Sequence, residues 1–319
     1  MTARAFRALR PEKLSYRVGP IAQTVLAAAI VGVPHTLIQF GSMTRRHQRD
    51  GSELFDLRER IVALACRAAS KDPSIVFGAN SRLACDEWAE QIGLDPTRMG
   101  LIYNGLDEAG LGDPDPARAR AVRAELGIPA DAFVLGTVFR FERVKDPLLW
   151  VETAACLADA LPDCHFLLAG DGPLRDAMRR RAEEGGFADR LHMPGAVFSG
   201  LRAYYGAMDT FLLTSHTESL PNVVIEAQIS GVPVVVTNAG GVREGIATGE
   251  SGRVAAGRTP EELAALVRAY HDDPDLRARV ACEAPVVIRE RFSVAQMVRS
   301  PLACFEPRGV ASFRDRDHG

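Results

Sequence analysis

Lysine is almost absent from this 319-residue chain: its 38 basic residues include only Lys13, Lys71 and Lys145. Cysteine is scarce too. The six cysteines, at 66, 85, 156, 164, 282 and 304, form no C-x-x-C pair and stand beside no histidine cluster. That excludes a disulfide framework or a zinc site and favours a reducing compartment. No uninterrupted apolar run reaches membrane-spanning length, since Gln23 and Thr24 break residues 18–33. Nor is there a large net charge; the value of −3 argues against a nucleic-acid binder. What is present, 47% hydrophobic and 25% charged residues, is the balance of a globular protein and excludes a disordered or collagen-like chain. At roughly 150 residues per domain the length suggests two domains or one large one.

Charge is unevenly placed. Residues 1–70 hold eleven Arg/Lys against Glu12, Asp50, Glu53, Asp56 and Glu59, an excess of six, and the remainder carries about −9. Arg4, Arg7, Arg10, Lys13 and Arg17 before the apolar run resemble the head of a signal peptide, but no small-residue cleavage site follows. Residues 33–40 read instead as a strand, so the expectation is a cytoplasmic fold that begins with a helix at 21–31. Each basic residue near acidic lipid contributes ~1 kcal/mol, so the basic third predicts weak peripheral contact with an anionic inner membrane face. A solvated Arg-rich surface accounts for the same charge.

Helix and strand patterns alternate nearly throughout. Strands are expected at 36–40, 74–78 and 99–103, with helices at 54–69 and at 81–92, the latter capped by Asn80 or Ser81. Residues 104–116, rich in Gly, Asp and Pro, read as a linker. Six further strands follow, at 133–139, 165–169, 190–193, 210–213, 234–237 and 253–255, with helices between them. This predicts α/β architecture with doubly wound parallel sheets. Domains are expected at 1–104 and 105–300, with a tail at 301–319 beginning where Pro301 breaks the last helix. The first domain has about three strands and no Gly-rich strand-to-helix turn, so it reads as lacking its opening strands.

Four loops carry candidate chemistry. After the strand at 210–213, residues 214–220 are polar and Pro221 opens a helix containing Glu226, about 7.5 Å along its axis. A helix start at a strand's carboxyl end offers N–H groups to an anion, with Glu226 in reach of a ribose and Glu218 on the other side. The two acids could equally be dipole partners or a solvated face. Gly136 through Lys145 ends a strand in a cationic loop, where Arg140 and Lys145 could neutralise a diphosphate or simply be exposed. Gly170-Asp171-Gly172 is a tight turn without the third glycine of a dinucleotide fingerprint. Gly240-Gly241 offers permissive backbone for a ligand or a turn.

Together these loops resemble the nucleotide-sugar half of retaining glycosyltransferases of family 4, which have the GT-B fold of two Rossmann-like domains. The likeness runs over residues 102–298. It includes Asn104-Gly105-Leu106-Asp107, Gly136 to Lys145, Ala169-Gly170-Asp171-Gly172-Pro173-Leu174, the Glu218/Glu226 pair, Gly231-Val232-Pro233, Gly240-Gly241 and Glu244. Residues 18–103 look like the last part of the acceptor domain.

The resemblance implies a UDP- or GDP-sugar donor, a glycan or lipid-linked acceptor, polysaccharide biosynthesis, and no cofactor or obligatory metal. By resemblance, Arg140 and Lys145 would contact the diphosphate and Glu226 the ribose, while Glu218, the catalytic residue, would hold the donor sugar. Backbone at Leu220, Asn222 and Val223 would meet the phosphates, and Gly172, His192 and Met193 would line the base pocket. Two features depart from the family pattern. Ser219 replaces the usual Gly, and Gly41-Ser42-Met43 stands where many members have a His, with only His35 and His47 nearby. Sequence alone leaves open a non-catalytic donor-binding fragment and a GT-B sugar-nucleotide epimerase.

Overall fold

The computed structural model describes residues 13–17, 35–44 and 53–304. The helix read at 21–31, His47 and the tail beyond Cys304 lie outside the described residues. Two compact units emerge. The first comprises residues up to Gly105, the tripeptide Glu218–Leu220 and the residues from Val294 onward; the second comprises Leu106–Thr217 and Pro221–Ser293.

In the first unit, β1 (Lys13–Arg17), β2 (His35–Phe40), β3 (Ile75–Ala79) and β4 (Met99–Leu101) form a parallel sheet in sequence order. Strand β1, with charge at both ends and no apolar run, gives no strand signal in the sequence. Helices α1 (Glu53–Ala69) and α2 (Arg82–Ile92) cover the sheet. Ser81, not Asn80, caps α2: its Oγ accepts the Ala84 N–H at 3.1 Å. Phe40 stacks on Trp88 with ring centroids 4.0 Å apart, and the indole N–H donates to the Ser42 carbonyl at 2.9 Å.

The second unit holds six parallel strands: β5 (Phe133–Val138), β6 (Cys164–Ala169), β7 (Leu191–Gly195), β8 (Thr210–Leu213), β9 (Val234–Val236) and β10 (Gly252–Val254). Their order is β10-β9-β8-β5-β6-β7. The sheet therefore turns in opposite directions from β5 and β8, the neighbours at its centre, and the crevice outside their carboxyl ends is the switch point where open α/β sheets bind ligands. Val134, Leu135, Phe166–Leu168, Phe211–Leu213 and Val234–Val236 are all buried, the continuous apolar runs of a parallel sheet covered on both faces. The helices are α3 (Pro116–Glu125), α4 (Pro147–Ala160), α5 (Arg175–Glu184), α6 (Leu201–Gly206), α7 (Asn222–Ile229), α8 (Pro260–His271) and α9 (Pro274–Arg291).

The stretch read as a linker is pinned to this unit. Leu106 N–H donates to the Phe292 carbonyl at 2.7 Å, and the helical turn Glu108–Leu111 places Glu108 3.0 Å from Arg289. The last described helix, α10 (Val294–Cys304), returns to the first unit and runs through Pro301 instead of ending there. One proline removes one backbone hydrogen bond, and α9 likewise contains Pro285.

Candidate functional site

The carboxyl-edge loops of the second unit are joined through their backbones. β5 runs into residues 139–146, β6 into 170–174 and β8 into 214–217. Phe141 donates its N–H to Asp171 O (2.9 Å) and accepts the Leu174 N–H (3.1 Å). So close a crossing needs glycine. A Cβ on Gly170 would lie 1.9 Å from Phe139 O, and one on Gly172 would lie 2.8 Å from Phe141 N and O.

On the other side, His216 N–H donates to Val144 O at 2.8 Å, and the Thr214 hydroxyl lies 2.9 Å from both the Lys145 and Asp146 carbonyls. Asp146 is the one non-glycine with positive φ (47°) among the described residues. Its Oδ1 caps α4, while Oδ2 accepts from Arg258 at 2.7 Å and faces His216 Nε2 at 3.3 Å. Arg258 also donates to the Thr214 and Ser215 carbonyls. This guanidinium, arriving from beyond β10, braces the turn that carries Lys145. Neither it nor the left-handed backbone of Asp146 is signalled in the sequence. Arg140, on the same loop, is largely exposed and pairs with Glu142 at 3.1 Å.

Helix α7 begins beside these loops. Pro221 occupies its cap position and supplies no side-chain cap. Gln228, fully buried, locks the helix in place. Its Nε2 donates to the Val224 and Gly245 carbonyls, and its Oε1 accepts from Ala247 N–H and Ser251 Oγ, all within 3.0 Å. Glu226 Oε2 accepts the hydroxyl of Tyr205 on α6 at 2.8 Å. Burial raises the Glu226 carboxyl above its ordinary range, and the Tyr205 bond opposes that rise.

The other predicted positions are arranged differently. His192 lies on β7 with Nε2 2.9 Å from Nδ1 of His165, the rings stacked at 5.2 Å. Burial, then the neighbouring imidazole, lowers the His192 pKa; burial, then Arg190, lowers that of His165. Met193 contributes its carbonyl, which accepts from Arg175 at 2.6 Å. Gly172, Arg140 and Lys145 share contiguous loops, whereas His192 sits within its strand. Glu218 and Leu220 group with the first unit. There Ser219 hydrogen-bonds Asn80 and, at 3.1 Å, Ser81, and the Leu220 carbonyl accepts from Asn104 at 3.4 Å. Phe198, in the loop after β7, is 94% exposed. Among the described residues no three His, Cys, Asp or Glu side chains are grouped to hold a metal.

Comparison with known proteins gives these features a lineage. The profile of "Glycosyl transferases group 1" matches residues 119–287. The Salmonella typhi Vi polysaccharide biosynthesis protein VipC/TviE is 31% identical over 237 residues, covering 71% of this chain and 40% of that protein. A D-inositol 3-phosphate glycosyltransferase of Geodermatophilus obscurus is 31% identical over 311 residues, covering 94% of this chain and 67% of its own length. The crystal structure of Anabaena Alr3699/HepE in complex with UDP superposes with a TM-score of 0.78 at 22% identity, covering 93% of this chain and 79% of that one. The α/β class with two Rossmann-like parallel units is thus the GT-B class, and the chain belongs to the glycosyl transferases group 1 family.

Proposed function

We propose that the chain transfers a sugar, with retention and without a metal or cofactor, from a UDP- or GDP-sugar to a glycan or lipid-linked acceptor. The observation that carries this is Glu226, held by Tyr205 on the helix at the sheet's switch point, beside the turn that bears Lys145. Arg140 and Lys145 supply charge for the diphosphate, joined by backbone N–H groups at Asn222 and Val223 and by backbone at Leu220. Glu226 takes the ribose and Glu218 the donor sugar. Gly172, with β7 at His192 and Met193, borders the base. UDP is the first nucleotide to test, because HepE was crystallised with it. Transfer joins the acceptor hydroxyl oxygen to the sugar's anomeric carbon as the anomeric carbon–oxygen bond to the diphosphate breaks; the diphosphate departs with that electron pair and takes up the hydroxyl proton. The experiment is a transfer assay with UDP- and GDP-sugars on glycan and lipid-linked acceptors, reading the anomeric configuration by NMR. Retained configuration with chelator present is expected; inversion, or dependence on added metal, contradicts the reading.

Cytoplasmic placement with peripheral contact to an anionic membrane belongs to the same proposal. No helix among the described residues is long and apolar enough to cross a membrane. On α1, Ile61 and Leu64 are exposed beside Arg60, and Arg67, Lys71 and Arg98 line one open hollow. Stronger sedimentation with anionic than with neutral liposomes at low salt is expected; equal sedimentation contradicts it.

A further inference from the structure

The backbone of Glu226 is clamped from both sides. Arg202 on α6 donates to the Ile229 carbonyl at 3.0 Å, Gln228 fastens α7 to residues 245–251, and Ser230 Oγ returns to the Glu226 carbonyl at 2.8 Å. Its side chain has a single protein partner among the described residues, the hydroxyl of the fully buried Tyr205. A glutamate with a fixed backbone still samples several rotamers, and one donor on Oε2 selects among them. Oε1 then remains for a ligand hydroxyl.

We infer that Tyr205 is a positioning residue for nucleotide recognition, holding Glu226 so that its second oxygen meets the ribose hydroxyls and distinguishes ribose from deoxyribose. The inference rests on the nucleotide-sugar reading above. A ribose hydroxyl bound to a pre-oriented carboxylate is a charge-assisted bond that a 2′-deoxy ligand forfeits. If the carboxylate is left to swing, both ligands lose orientation but only the ribose ligand loses that contact. The expected signature is therefore a change in discrimination, which a loss of packing would not produce. Phenylalanine keeps the ring in place and removes only the oxygen.

Calorimetry compares UDP and GDP, and the 2′-deoxy form of whichever binds, on the parent chain and on Tyr205→Phe. The parent should prefer the ribose form by about tenfold or more. In Tyr205→Phe the ribose form should weaken roughly fivefold and the deoxy form less than about twofold, so that discrimination falls by more than about 2.5-fold. On a Glu226→Gln background the same substitution should add less than about twofold. Equal weakening of both ligands, no weakening, or full additivity with Glu226→Gln overturns the inference. Absence of nucleotide binding by the parent overturns the nucleotide reading and the inference with it. Should Tyr205→Phe fail to fold, ¹³Cζ-tyrosine NMR of the parent decides: the Tyr205 resonance must move on adding nucleotide, and an unmoved resonance overturns the inference.

Discussion

Gly170 shows how tightly single residues set the geometry of the carboxyl-edge loops. Alanine there would put a Cβ 1.9 Å from the Phe139 carbonyl, whereas at Gly186 (φ +69°) a Cβ meets nothing within 4 Å. Gly170→Ala should therefore cost more than about 2 kcal/mol through backbone displacement. Gly186→Ala should cost about 1 kcal/mol through left-handed strain alone. Urea-denaturation midpoints of the two variants check the contrast, and equal costs would refute the crowding at Gly170. The His165–His192 pair yields a pH prediction. Both pKa values are lowered in the fold, so the unfolded chain binds more protons below the ordinary histidine pKa of about 6.5. The pair's stabilisation is complete above that pH and is lost as pH falls from about 6.5 toward the lowered folded values. Melting temperature should thus drop more between pH 7.5 and 5.5 in the parent than in His165→Leu/His192→Leu. At this scale the sequence marks Glu226, Lys145 and the glycines through their spacing. It could not show that His192 turns to His165, or that Arg258 reaches Asp146 across 112 positions, because those partners meet only once the sheet is assembled.

Among the elements, helix α7 depends on Gln228 more than on its own eight residues, too few to be stable alone. Gln228→Ala would leave the Gly245 carbonyl, the Ala247 N–H and the Ser251 hydroxyl without that partner, at about 1–3 kcal/mol for each group left unsatisfied. The expected result is a loss of about 3 kcal/mol or more by chemical denaturation together with weakened nucleotide binding; a loss under about 1 kcal/mol would contradict it. Strands β5, β6, β8 and β9 were legible because burial on both faces demands unbroken apolar runs such as Phe166-Leu167-Leu168. β1 was not, since Lys-Leu-Ser-Tyr-Arg shows no such run and is defined by its pairing with β2. Nor does Pro301 act as a stop, because proline forbids one hydrogen bond and leaves the rest of the turn intact.

Across the whole molecule both units are parallel α/β sheets, the family profile falls on residues 119–287, and the strand order adds what the sequence alone could not give. Alternation of helix and strand predicts a doubly wound sheet without saying where the winding reverses. The order β10-β9-β8-β5-β6-β7 puts that reversal between β5 and β8, whose loops carry Lys145 and lead into α7. The central claim is that these loops bind a nucleoside diphosphate. Titration calorimetry of the chain with UDP and with GDP tests it most directly, alongside Glu226→Ala, Lys145→Ala and Glu218→Ala. Saturable binding of one nucleotide is expected, weakened by about 1–3 kcal/mol in each of the first two variants and unchanged in Glu218→Ala. Binding of neither nucleotide by the folded chain, or binding indifferent to Glu226 and Lys145, would contradict the account.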